Sequence, residues 1–139
     1  MTDIVGLASK LFDRIEWQNT PDDVTKDDLC DMVAEAIRYL YVVTGRALEF
    51  DDSMFVKGDD SYIFSPTLRI DEEEYVILTA EIIFYKKVQT GVSDLVSYTT
   101  DAMSVSHGDK PFANLQQKLN DLEAARRVIW YKMIRFHLL

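Results

Sequence analysis

A single cysteine, Cys30, and two histidines among 139 residues leave little material for a disulfide framework or a metal-ligand cluster. A reducing compartment fits that usage best. No run approaches the roughly 20 consecutive apolar residues that a membrane span needs, and Met1-Thr2-Asp3-Ile4 lacks the basic flank of a secretion signal. The expectation is a soluble chain that is not exported by that route. Prolines are few, and all three fall where a connection is expected: Pro21, Pro66 and Pro111. We find no internal repeat and no low-complexity tract.

What is present is a globular composition, 47% hydrophobic and 12% aromatic, in a chain about one domain long. Net charge is −9, but it is unevenly spread. Residues 1–60 carry 6 basic against 14 acidic side chains, residues 61–109 carry 3 against 8, and residues 110–139 carry 6 against 2. An acidic body with a basic end disfavours nucleic-acid binding, which needs clustered Lys and Arg. Such an end instead suits an acidic protein surface, including that of another copy.

Hydrophobic spacing predicts a mainly α fold, a bundle of about four helices with a small β-hairpin or extended-loop element. Ile4, Leu7, Ala8, Leu11, Phe12 and Ile15 make the stripe of a first helix that ends near Trp17, with Thr2 or Asp3 as its N-cap. Thr25 and Asp28 approximate a capping box for a second, whose stripe is Leu29, Val33, Ala36, Ile37, Leu40 and Val43 and whose stop is Gly45. Residues 1–45 thus form a helical pair. Over 46–70, the runs Met54-Phe55-Val56 and Tyr62-Ile63-Phe64 flank a polar turn and read as a hairpin. Asp71 and Glu74 open a central helix over 71–91 that is apolar nearly all round, a mark of the middle of a bundle or of a subunit contact. The Ser/Thr-rich stretch 92–111 reads as an extended loop.

The terminal helix, 112–139, is the most informative segment. Phe112, Leu115, Leu119, Leu122, Ile129, Met133 and Phe136 follow a heptad that Arg126 alone breaks. Such a rod would be about 40 Å long, and burying its stripe is worth roughly 1.5–3 kcal/mol per side chain before ordering entropy. It needs a partner surface, in this chain or in a neighbour. In Trp130-Tyr131-Lys132-Met133-Ile134-Arg135-Phe136 apolar groups surround the helix while positive charge persists, which fits either snorkelling over a core or a docking surface.

Chemistry is harder to find. The paired aspartates at 22–23, 27–28, 51–52 and 59–60 lack the alternate spacing and closing glutamate of a calcium loop and read as caps and turns. Glu72, Glu73 and Glu74 are consecutive, so on a helix they point apart and serve the helix dipole better than acid–base work. His107 and His137 stand alone, and Cys30 reads as a small core residue. No catalytic, cofactor-binding or metal residue is assigned.

The segment Val96-Ser97-Tyr98-Thr99-Thr100-Asp101-Ala102-Met103-Ser104-Val105, then Gly108-Asp109-Lys110-Pro111-Phe112 and the closing Trp130-Tyr131-Lys132-Met133, resembles small virion proteins of large tailed bacteriophages. More broadly the chain is similar to their head-to-tail connector (adaptor, or head-completion) proteins, over residues 71–136. The resemblance implies a non-enzymatic virion protein of the neck, made in the bacterial host cytoplasm. It implies a ring, commonly dodecameric, beneath the portal protein and above a tail-side neck protein, through which DNA passes without sequence-specific binding. No membrane and no cofactor are implied.

By the same resemblance the stretch 129–139 docks on the portal or on neighbouring copies, through Ile129, Trp130, Lys132, Met133, Arg135, Phe136, Leu138 and Leu139. Val96, Tyr98, Met103 and Val105 would make an inter-subunit loop. That docking tail is expected to be removable with the first three helices still folded. The hairpin at residues 53–64 departs from the family pattern. Tail completion or tail termination, and a soluble helical regulator or inhibitor of one protein partner, are the alternatives; a small metal-dependent enzyme is a distant third.

Overall fold

The computed structural model describes residues 1–15, 25–89 and 111–138, with side chains described for 1–15, 25–87 and 115–134. Its elements run β1 (Thr2–Asp3), α1 (Ile4–Arg14), α2 (Lys26–Val43), two 3₁₀ turns (Ala47–Glu49 and Asp52–Met54), β2 (Phe55–Lys57), β3 (Tyr62–Phe64), α3 (Ile70–Gln89) and α4 (Pro111–Leu138). Mainly helical architecture, a long terminal helix and a small antiparallel sheet are as expected. The stretches 90–110, which include the expected extended loop except Pro111, the first residue of α4, and 16–24, with Trp17, lie outside the described residues.

Helix ends follow local chemistry. The capping box of α2 is complete: the Asp28 N–H donates to the Thr25 hydroxyl at 3.2 Å and the Thr25 N–H donates to the Asp28 carboxylate at 3.0 Å. At its other end the Gly45 N–H reaches the Val42 carbonyl at 3.2 Å and the Arg46 N–H reaches the Tyr41 carbonyl at 2.8 Å. This paired closure needs a left-handed residue, and Gly45 supplies it with φ 74°. The capping pair at the start of α3 lies two residues before the expected one. The Glu72 carboxylate, not that of Glu74, turns back to accept from the Arg69 N–H at 3.0 Å.

Helix α3 lies at the centre. Residues Tyr75–Ile82 are buried without a break, as are Phe84 and Tyr85, so this helix must be covered from every side. Helices α1, α2 and α4 all pack against it. Tyr85 faces Lys118, Lys86 faces Glu123, and Thr79 and Tyr75 face Arg126, so α4 runs antiparallel to α3. The described heptad positions of α4 face inward: Leu115, Leu119, Leu122 and Met133 are buried, and Ile129 packs partly against the same core. The terminal rod therefore finds much of its partner surface inside its own chain. In α1, Phe12 is 47% exposed, unlike the other five residues of its expected stripe, which are buried or partly so. It stands about 80° round the helix from Ile4, at the stripe's far edge.

The sheet holds a strand that spacing did not reveal. Its order is β1-β3-β2, all antiparallel, with Thr2 opposite Phe64 and Asp3 opposite Ile63. The Thr2 hydroxyl donates to the Pro66 carbonyl at 2.8 Å and accepts from the Leu68 N–H at 3.0 Å. Thr2 is thus a clasp between the start of the chain and the approach to α3, not a helix cap; Asp3 is the N-cap but its side chain makes no capping bond. Phe64, fully buried, meets the rings of Phe55, Tyr41 and Phe50 at 5.0, 5.7 and 6.2 Å, which seats the hairpin on α2.

Thr2→Val keeps the shape of the clasp and removes both hydrogen bonds, leaving a buried N–H unpaired. Urea unfolding should show a loss of about 1–3 kcal/mol; an unchanged midpoint would show that water restores those bonds.

Candidate docking site

The candidate site is an open groove of about 520 Å³ between three helices, lined by Tyr39 and Val43 of α2, Tyr75 of α3, and Glu123, Arg126, Arg127 and Trp130 of α4. Glu123, Arg127 and Trp130 stand at i, i+4 and i+7, one stripe on the flank of α4, while Arg126 points more nearly at the core. The Tyr39 and Tyr75 rings lie parallel, 5° apart in plane and 6.4 Å between centroids. The Arg126 guanidinium sits over both, 5.1 Å from Tyr39 and 5.8 Å from Tyr75, and its Nη1 donates a long 3.4 Å bond to the Thr79 hydroxyl. The one break in the heptad is therefore the floor of the groove. Burial pushes the Tyr75 hydroxyl up to about 12, against the opposing pull of Arg126, so it is protonated at neutral pH.

Carboxylate pairing sets this groove apart. Arg14 reaches Glu74 at 2.6 Å, Arg38 reaches Asp52 at 3.0 Å, Arg46 reaches Glu72 at 2.6 Å and Arg69 reaches Asp71 at 3.0 Å. Among the described residues, Arg126 and Arg127 have no such partner. Glu123, on the same rim, is turned to Lys86 at 3.6 Å.

The expected contact residues divide. Trp130 lines the groove, half-buried, with its ring 5.4 Å from that of Tyr131 in an edge-on arrangement. Lys132 is exposed and Ile129 partly buried. Met133 is a correction: it is 0% exposed and belongs to the core, because position 133 continues the inward stripe of Leu122, Arg126 and Ile129. A tail from Ile129 onward is for that reason not removable without cost to the fold. The backbone stays helical through Arg135, Phe136 and Leu138, whose side chains, like Leu139, Val96, Tyr98, Met103 and Val105, lie outside the described residues.

The opposite face of α4 changes character along its length. Its first half carries amides and a carboxylate, with Gln116 bonded to Asn120 and Gln117 to Asp121, each at 2.9 Å. Its second half carries Ala124, Ala125, Val128 and Tyr131, with Val128 54% and Tyr131 57% exposed. Tyr39 and Val42 of α2 are also exposed, so large apolar side chains on two neighbouring helices reach the surface.

Other constellations serve the fold. Asp28 caps α2, Asp51 accepts from the Ser53 N–H at 2.9 Å and is thereby held below the usual carboxylate range, and Asp52 pairs with Arg38. Cys30 is buried, and burial pushes its thiol up, away from the reactive thiolate. Glu81, with a 4% exposed side chain, lies 3.5 Å from Arg14; burial raises its carboxyl, and Arg14 and Lys118 oppose that rise. It lines neither the Arg126 groove nor a second of about 290 Å³ beside Phe12 and Leu29. Among the described residues, no three His, Cys, Asp or Glu side chains gather as a metal site, and no helix is long and apolar enough to cross a membrane.

No family model, curated protein or solved structure matches the chain.

Two outcomes follow from this placement. Met133→Ala should cost about 2–5 kcal/mol of stability by denaturant titration, while Tyr131→Ala should stay within about 0.5 kcal/mol; equal effects would place both residues alike. For Glu81, a folded-state carboxyl raised above 4.5 means the folded state holds more protons than the unfolded one above that pH. The contribution of Glu81 to stability is then greatest below 4.5 and falls as pH rises through the folded value. Glu81→Gln removes this descent, so its melting temperature, measured from pH 4 to 8, should gain on the wild type as pH increases.

Proposed function

We propose that this protein is a non-enzymatic structural subunit that works by docking, a head-to-tail connector in the neck of a tailed bacteriophage. The observation that carries the docking part is the switch along the outer face of α4, from hydrogen-bonded amides at 116–121 to exposed Val128 and Tyr131 beside Arg127 and Lys132. Aromatic side chains and arginine at the centre of an exposed apolar patch are the composition of interface hot spots. The neck assignment is supported by the resemblance of residues 96–112 and 130–133 to small virion proteins of large tailed bacteriophages and, more broadly, of residues 71–136 to their connector proteins.

Charge fits the same reading. The exposed face of α2 begins with Asp27, Asp28, Asp31 and Glu35 and ends with Tyr39 and Val42, so acidic and apolar patches occupy different parts of one subunit. Head-to-tail contacts in a closed ring need two unlike patches of this kind. Carboxylates turned toward a channel would also repel DNA phosphates and let a genome slide past without sticking. The portal-facing surface would be the outer face of α4, with its core-facing side already committed to α3.

The test is a double substitution, Val128→Glu with Tyr131→Glu, on side chains that are more than half exposed. Circular dichroism should be unchanged. Purified virions should carry less than about a tenth of the wild-type amount of the protein, as expected when a central patch is broken. Normal incorporation would overturn the docking face, and absence of the wild-type protein from virions would overturn the neck assignment in favour of a regulator binding one partner.

A further inference from the structure

We infer that the Tyr39–Tyr75–Arg126 groove is the reading site for a partner segment that presents a carboxylate beside an apolar side chain, an acidic peptide. This deepens the docking reading and rests on it. The chain is acidic overall, and its other four described arginines each have a carboxylate within 3.0 Å, yet among the described residues Arg126 and Arg127 stand side by side without one. Arg126 is not loose for lack of a partner. Two tyrosine faces and the Thr79 hydroxyl hold its guanidinium in the groove, leaving N–H donors for a further acceptor. A prearranged guanidinium forms a charge-assisted, two-point bond to a carboxylate with little further ordering cost.

Apolar walls stand beside those cations. Trp130, Val43 and the 40% exposed ring of Tyr39 offer contact area to a neighbouring Leu or Phe of the incoming segment, and Arg127, exposed on the rim, can meet a second acid. Charge complementarity favours a peptide over a nucleic acid. A strand of phosphates crossing the groove would run against Glu123 on its rim, whereas the acids of a short peptide need meet only the arginines.

The test uses the full chain and a capped peptide of sequence Asp-Phe-Glu-Leu-Asp, with Asn-Phe-Gln-Leu-Asn as its neutral counterpart and an eight-residue oligothymidylate as the rival probe. The acidic peptide should shift the Trp130 indole resonance, and the neutral one should bind at least about tenfold more weakly. Arg127→Gln, a change at an exposed side chain, should weaken binding severalfold. Arg126→Lys should weaken it about tenfold while the fold is kept, because the charge remains and the planar fork is lost. Val128→Ser, a neutral change at a residue outside the groove lining, should leave peptide binding within about twofold. Equal binding of both peptides, indifference to Arg127→Gln and Arg126→Lys, or tighter binding of the oligothymidylate would each overturn the inference. If the peptide fails while virion incorporation still depends on Val128 and Tyr131, the groove assignment falls and the docking face stands.

Discussion

The structure depends on enclosing a helix that has almost no polar side to show to water. Along α3, eight consecutive residues from Tyr75 to Ile82 are buried, including Thr79 and Glu81, so α1, α2 and α4 must each supply an apolar stripe to close round it. Burial at roughly 25 cal/mol per Å² rewards that closure, and the ordering entropy of the chain opposes it. The length of α4 follows from this constraint. It runs antiparallel along α3 and lends Leu115, Leu119, Leu122 and Met133 to the core, which leaves one flank and its outer face for anything else.

Electrostatics then divides the surface into a settled part and an unsettled one. Around α1, α2 and the start of α3, arginines and carboxylates are paired locally: Arg14 with Glu74 and Glu81, Arg46 with Glu72, and Arg69 with Asp71. Glu72 is nearly buried and bonds both Arg46 and the Arg69 N–H, so it joins the end of α2 to the beginning of α3. The flank of α4 is different. Arg126 is held by aromatic faces and a hydroxyl, Arg127 is exposed, and nearby Val128 and Tyr131 are uncovered. Among the described residues these two arginines have no counter-charge and lie next to apolar side chains, the feature on which the proposed docking surface rests.

The small sheet and its neighbours act as a fastening. Phe64 beneath Tyr41, Phe50 and Phe55 fixes the hairpin to α2, and Thr2 ties the first residues to Pro66 and Leu68 just ahead of α3. In this way the hairpin over residues 53–64 is part of the same core as the helices. It also brings Asp52 to Arg38, whose guanidinium lies 5.3 Å from the Phe55 ring, so one arginine spans the hairpin and α2.

Local rules carried a long way. Spacings of three and four residues marked the helices, Thr25 with Asp28 and the glycine at position 45 marked the ends of α2, and two short apolar runs flanking a polar turn marked the hairpin. These features depend on neighbours within one turn or one tight loop, so they are legible in one dimension. The departures came from contacts between residues far apart in sequence: Thr2 pairing beside Phe64, Phe12 left at the edge of its stripe, and Met133 drawn into the core. The groove is the clearest case. Arg126 was visible as the lone polar residue in an apolar heptad, but its meaning needed Tyr39 and Tyr75, from two other helices, to meet at 6.4 Å beneath it. By itself the sequence determined which segments are helical, where they stop and which face of each is greasy, because those are short-range effects of backbone and side-chain spacing. Which greasy residues become core, and which arginines are left without a carboxylate, was decided only by tertiary packing, since burial and charge pairing are properties of the whole enclosed surface.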